Sequence, residues 1–222
     1  KSFKDLVEMV KSGDSESFVN SFNEGKKVEE WSESNFEFRD GVLYYLGEEV
    51  DEAISDRIQE MVEEGCDYQP MLRFVERLYK NPSHRAITEL YSFLKHKNMP
   101  IDEDGYLLAY KYVSVYSGET TVDKNGNTLT SGDYVDAHTM RSHRNNIGDK
   151  PEMPRFKVND DANLGCESGL HVGTLEYVSG SNNIVIVRVN PADVVSIPFD
   201  SDCQKMRCCR YEVFAKFEGA MN

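Results

Sequence analysis

A cysteine and a histidine stand five residues apart in CESGLHVG, at Cys166 and His171, with Gly169 between them. A thiol and an imidazole can serve as nucleophile and base when they come within hydrogen-bond reach. A spacing of five puts them on opposite faces of one strand, or apart across a turn. The pair is therefore read as structural: Gly169 turns the chain, and His171 enters the next strand to hydrogen-bond inside the core. Cys203, Cys208, Cys209, His138 and His143 add soft ligands. No C-x-x-C pair accompanies them, so no zinc site is expected. Asn159, Asp160, Asp161 and Asn163 carry oxygen ligands for a hard cation, but such runs more commonly bond their own backbone in turns. The string DKNGN at 123–127 opens like a calcium loop and lacks the Gly and Glu that such a loop places further on, so it is read as a hairpin tip.

The third chemistry is anion binding. Basic residues gather in three separated segments: Arg141, His143 and Arg144, then Arg155 and Lys157, then Lys205, Arg207 and Arg210. Arginine suits bidentate recognition of phosphate or carboxylate. If the segments converge, Arg141, Arg144, Arg155, His171, Lys205 and Arg207 would line a pocket for a nucleotide-like anion. In KMRCCR a period of two puts Lys205 and Arg207 on one strand face, as an anion-binding edge or as a solvated surface ladder. The ladder is the preferred reading, because surface charges are ordinarily solvated. No catalytic constellation, cofactor fingerprint or metal site is expected, and the chain is read as non-catalytic.

These residues must be positioned by a fold whose periodicity changes midway. The first hundred residues repeat with helical spacing, as in Phe3, Leu6, Val7 and Val10, in a segment restarting after Gly13, and in three helices across residues 51–97. Among them NFEFRDGVLYYL reads as a small hairpin turned at Asp40-Gly41. After MPIDEDG the period becomes two: YLLAYKYVSV, NIVIVRVN and DVVSIPF are strands, and TTVDKNGNTLT is a hairpin. The expectation is an α+β protein, with an N-terminal helical layer over 1–101 and a β-rich, mainly antiparallel half over 102–222.

The chain has 222 residues and a formal net charge of −14. The first hundred carry 13 basic and 21 acidic side chains and the remainder 12 and 18, so both halves repel a phosphate backbone. Duplex nucleic acid is not an expected partner. Five cysteines, two of them adjacent at Cys208-Cys209, do not suggest a disulfide framework, and a reduced intracellular protein is expected. No apolar run is long enough to span a bilayer. The opening Lys1 is read as the start of a piece of something longer.

MPRFKVNDDANLGCESGLHVGTLEYV, VRVNPADVVSIPFD and KMRCCRYEV together resemble the C-terminal region of the phage RIIB proteins, and the helical half follows in the same order. The family's N-terminal helix-turn-helix-like region has no counterpart here, and the Ser117–Ser131 hairpin resembles an insertion. The resemblance implies a phage accessory protein of lysis control and of resistance to prophage exclusion. It implies action through a RIIA-like phage protein, with a host defence component or a second copy as further partners. It places the protein in the host cytoplasm or, through its partner, at the inner face of the membrane. It supplies no catalytic residues and no cofactor. Pro154, Arg155, Cys166, Gly169, His171, Pro191, Asp193, Lys205 and Arg207 carry over as motif positions only. The rival expectation is a small-molecule domain that sequesters or cleaves a nucleotide-like defence signal.

Overall fold

The computed structural model describes residues 11–12, 35–39, 42–97, 99–137, 143–180 and 182–219. The expected first helix, its restart after Gly13 and the Asp40-Gly41 turn lie outside them. Contacts divide the chain into two compact units, Lys1–Val75 and Glu76–Asn222.

In the first unit β1 (Phe36–Arg39), β2 (Val42–Tyr45) and β3 (Glu48–Glu49) form an antiparallel sheet in that order. Leu46 and Gly47 join β2 to β3 as a two-residue loop with both φ values positive, 53° and 85°, the handedness that matches strand twist. Helix α1 (Glu52–Glu63) starts where the Asp51 carboxylate accepts the Ala53 N–H at 3.0 Å. It stops at Gly65, with Gly65 N–H donating to Val62 and Cys66 N–H to Met61, a Schellman closure. Its Ile54, Ile58 and Val62 are buried, as are Phe36 and Leu43 of the sheet.

The division between units falls within helix α2 (Gln69–Leu78). Helix α3 (His84–Lys97), capped by Ser83 Oγ on the Ala86 N–H, therefore belongs with the sheet. The sequence periodicity changes near residue 102, where strand begins, but the contacts place α3 beyond the division. Side chains explain why: Asn81 donates to the carbonyls of Pro191 and Val194 at 2.9 and 2.7 Å, and Glu89 accepts the Ile197 N–H at 2.8 Å.

The second unit holds β4 (Leu107–Val115), β5 (Thr121–Val122), β6 (Thr128–Leu129), β7 (Tyr134–Asp136), β8 (Leu170–Gly173), β9 (Ile184–Val189), β10 (Val194–Ser196), β11 (Lys205–Cys208) and β12 (Glu212–Lys216). The main sheet runs β10-β11-β8-β4-β9-β12, with β7 also on β4, and every pairing in it is antiparallel. The protein is α+β, helical in its N-terminal part and strand-rich after it. Leu107, Ala109 and Val113 of β4 alternate inward, and Val185, Val187 and Val189 of β9 are buried beside them. The strand pair β5–β6 is the expected hairpin. Asp123 closes its tip by accepting the N–H groups of Asn125 and Asn127, which is an Asx turn and not a cation loop.

Candidate functional site

Strand β4 pairs with β8 only at Tyr110↔Gly173, and with β7 further on, from Val113↔Asp136 to Val115↔Tyr134. Lys111 sits between the two pairings and turns inward with Ala109 and Val113. Its ammonium, on a residue 4 % exposed, donates to the His171 carbonyl of β8 at 2.9 Å and to Asp136 of β7 at 2.8 Å. The ring of Tyr211 lies 5.6 Å beneath it. Where β7 and β8 separate, a cleft of about 430 Å³ opens, walled by Asp136 and His143 on one side and by the Cys166–His171 segment on the other. Lys205, Asp200 and Tyr177 close it.

The approach of Tyr177 depends on a glycine. A Cβ at Gly173 would stand 2.5 Å from the Gln204 carbonyl oxygen and 2.7 Å from the Tyr177 ring. Gly169 is constrained twice, by φ +156° and by Arg207 Cγ and Val158 Cγ1, each 3.1 Å from where its Cβ would be. Gly169 thus lets the 159–169 segment close over the arginine.

Both histidines of the cleft are held neutral. Burial pushes His143 down, against the attraction of Asp136 and Asp123. Burial, helped by Lys111, Lys205 and Arg207, pushes His171 down to about 4. Its Nε2 lies 3.0 Å from the Glu167 carbonyl, an acceptor, so Nε2 carries the proton and Nδ1 the lone pair. Because the folded pKa lies below the unfolded value, the unfolded chain binds the proton first. Stability is full above about pH 6.5 and is lost as the pH falls toward 4, on the order of 3 kcal/mol from His171. Urea unfolding at pH 7.5 and pH 4.5 measures it, and His171→Gln should flatten the difference. An unchanged slope in that variant would contradict the assignment.

Of the six residues expected to gather around an anion, His171 and Lys205 meet at the cleft. They share a sheet face, since Arg207 pairs with His171 and Lys205 with Gly173. Arg141 lies outside the described residues, as does His138. Arg144 grips Asp149 with two bonds of 2.9 and 2.8 Å and donates to the Thr128 carbonyl. Arg155 donates to Asn81 Oδ1, Ala192 O and Val194 O, at 2.7 to 2.9 Å. Arg207 is fully buried, and its Nη2 donates to the Asp161 and Leu164 carbonyls at 2.5 and 2.9 Å. The solvated ladder read from KMRCCR is overturned: β11 is flanked by β10 and β8, the 159–169 segment folds over it, and Lys205 is only 2 % exposed.

The motif positions divide in the same way. Cys166 is exposed at the cleft rim, while Pro191 is buried and opens a 3₁₀ turn. Asp193 in that turn accepts from Arg210 at 3.1 Å. Asp161 accepts the Asn163 N–H, and Asn159 accepts the Asp161 N–H, so the Asn/Asp run is a series of turns. Among the described residues no cluster of three metal-ligating side chains occurs. Sequence reasoning missed Lys111, Asp136 and Tyr177. The signal for Lys111 was present, a lysine on the apolar face of LLAYKYVSV.

A family model described as bacteriophage T4 protein rIIB matches residues 2–221. The chain is 32% identical over 215 residues, 95% of its own length, to "Protein rIIB" of Enterobacteria phage T4. It spans 63% of that relative's length. No solved structure matches it. With a family match over almost every residue, the chain belongs to the bacteriophage T4 protein rIIB family.

Proposed function

We propose that the protein acts in lysis control and in countering host or prophage exclusion by binding a partner, a RIIA-like phage protein, without catalysing a reaction. The observation that supports this most is the 32% identity to the T4 protein over 95% of the chain. The arginines fit a scaffold more than a reaction centre. Arg144, Arg155 and Arg207 are committed to internal carbonyls, amides and carboxylates, and they fix loops in place. Among the described residues no helix is long and apolar enough to cross a membrane.

The test is a phage deleted for this chain and complemented with a tagged copy. The deletion is expected to change the timing of lysis, and the tagged copy to restore it and to co-purify a RIIA-like protein at near-equal amounts. Normal lysis timing in the deletion, with no RIIA-like protein on the tag, would overturn the proposal.

A further inference from the structure

We propose that the cleft between β7 and β8 is a binding site for a small phosphate ester, with the phosphate received by Lys205 and the organic part lying against Met153, Leu170 and Tyr177. The argument begins with the cost of the arrangement. Lys205, His143 and Asp136 are 2 %, 6 % and 8 % exposed, and all three line one cleft of about 430 Å³. Burying ionisable groups is expensive, and their convergence on a ligand-sized concavity is characteristic of binding sites. The volume is far more than inorganic phosphate needs, and most of the wall is apolar.

Charge selects the ligand. The chain as a whole is at −14 and the cleft is lined by Asp136, Glu167 and Asp200 against Lys124 and Lys205, yet three cations act on His171, namely Lys111 from β4 and Lys205 and Arg207 from β11. Two of the three are already engaged. Lys111 is shared between the His171 carbonyl and Asp136, and Arg207 lies beneath Gly169 with no exposed surface. Lys205 differs from them. Its ammonium has three protons to donate and, among the described residues, makes one hydrogen bond, 2.5 Å to Asp200 Oδ2, on a carboxylate that is itself 38% exposed. An incoming anion can share or replace that carboxylate.

The donor's chemistry suits a phosphate. A guanidinium fork matches phosphate and carboxylate alike, and a lysine ammonium binds phosphate as a compact point charge with three donors. Arg144 and Arg155 are taken up by internal partners, and the cationic donors that line the cleft are lysines, the buried Lys205 and Lys124. The Tyr177 ring, which packs on Gly173 because no side chain stands there, lines the cleft and gives the organic part an aromatic contact.

The experiment is titration calorimetry of the full chain against adenosine 5′-monophosphate, a cyclic dinucleotide, inorganic phosphate and adenosine. At least one phosphate ester is expected to bind saturably, with adenosine and inorganic phosphate at least tenfold weaker. Lys205→Met should weaken the ester at least tenfold. Asp200→Asn, which frees the ammonium without removing it, should strengthen it severalfold and serves as the test if Lys205→Met fails to fold. Four outcomes would overturn the proposal. These are no ester binding up to millimolar concentration, adenosine binding as well as the ester, inorganic phosphate matching the ester, or ester affinity unmoved by either substitution. The partner-binding proposal stands or falls separately, since co-purification of a RIIA-like protein is read without any ligand.

Discussion

Asparagine in place of Asp136 is expected to cost about 3–5 kcal/mol of folding stability, because it leaves the Lys111 ammonium buried without its carboxylate. The amide can still accept one hydrogen bond, but it cannot offset the charge. Lys111→Met should cost a comparable amount for a different reason. It removes the donor that satisfies the His171 carbonyl just where β8 parts from β4. The double variant, Lys111→Met with Asp136→Asn, should recover a large part of the summed loss, since neither charge is then left alone. Urea unfolding of the four proteins closes the cycle. Losses that simply add would show that the two side chains do not act as a pair.

Arg207→Ala is expected to be equally damaging, at about 3–5 kcal/mol, through an unfilled space under Gly169 and two orphaned carbonyls. Arg207→Met separates these causes. It keeps the stem and loses the bonds to Asp161 and Leu164, but it also removes Nε and Nη1, which are buried with no hydrogen-bond partner among the described residues. Burial already pulls this guanidinium below the ordinary arginine pKa, against the attraction of Glu167 and Asp200. The methionine variant should therefore cost only about 1–3 kcal/mol. In both variants proteolysis should cut first within 159–169. Equal losses below about 1 kcal/mol in both would mean that the arginine does not hold the loop.

Much of this architecture was legible from residue patterns. Ser83 announces a helix start, and Gly65 announces a stop. The alternation of LLAYKYVSV gives a strand with one buried face. The order β10-β11-β8-β4-β9-β12 was not legible, because periodicity is a local property and strand neighbours are chosen by chain segments far apart. The same limit explains KMRCCR. Alternating basic residues look like a solvated edge until two strands flank them and a loop covers them. The cleft was half visible. His171 and Lys205 were named for their charge and chemistry, but Lys111 and Asp136 draw their importance from a partner 25 positions away in the chain.

The pairing of β4 with β9 has a consequence for how the chain is made. Their paired residues lie between 72 positions apart, for Tyr112 and Ile184, and 82, for Leu107 and Val189. A ribosome adding about 5–20 residues per second therefore releases β4 several seconds before its partner exists. During that interval Leu107, Ala109 and Val113 have no β9 to cover them, and Lys111 can find Asp136 long before it can find the carbonyl of His171. A buried lysine in mid-strand keeps one charge on the waiting apolar face, which opposes association with neighbouring nascent chains. The group that later joins β7 to β8 thus also guards the strand while it waits.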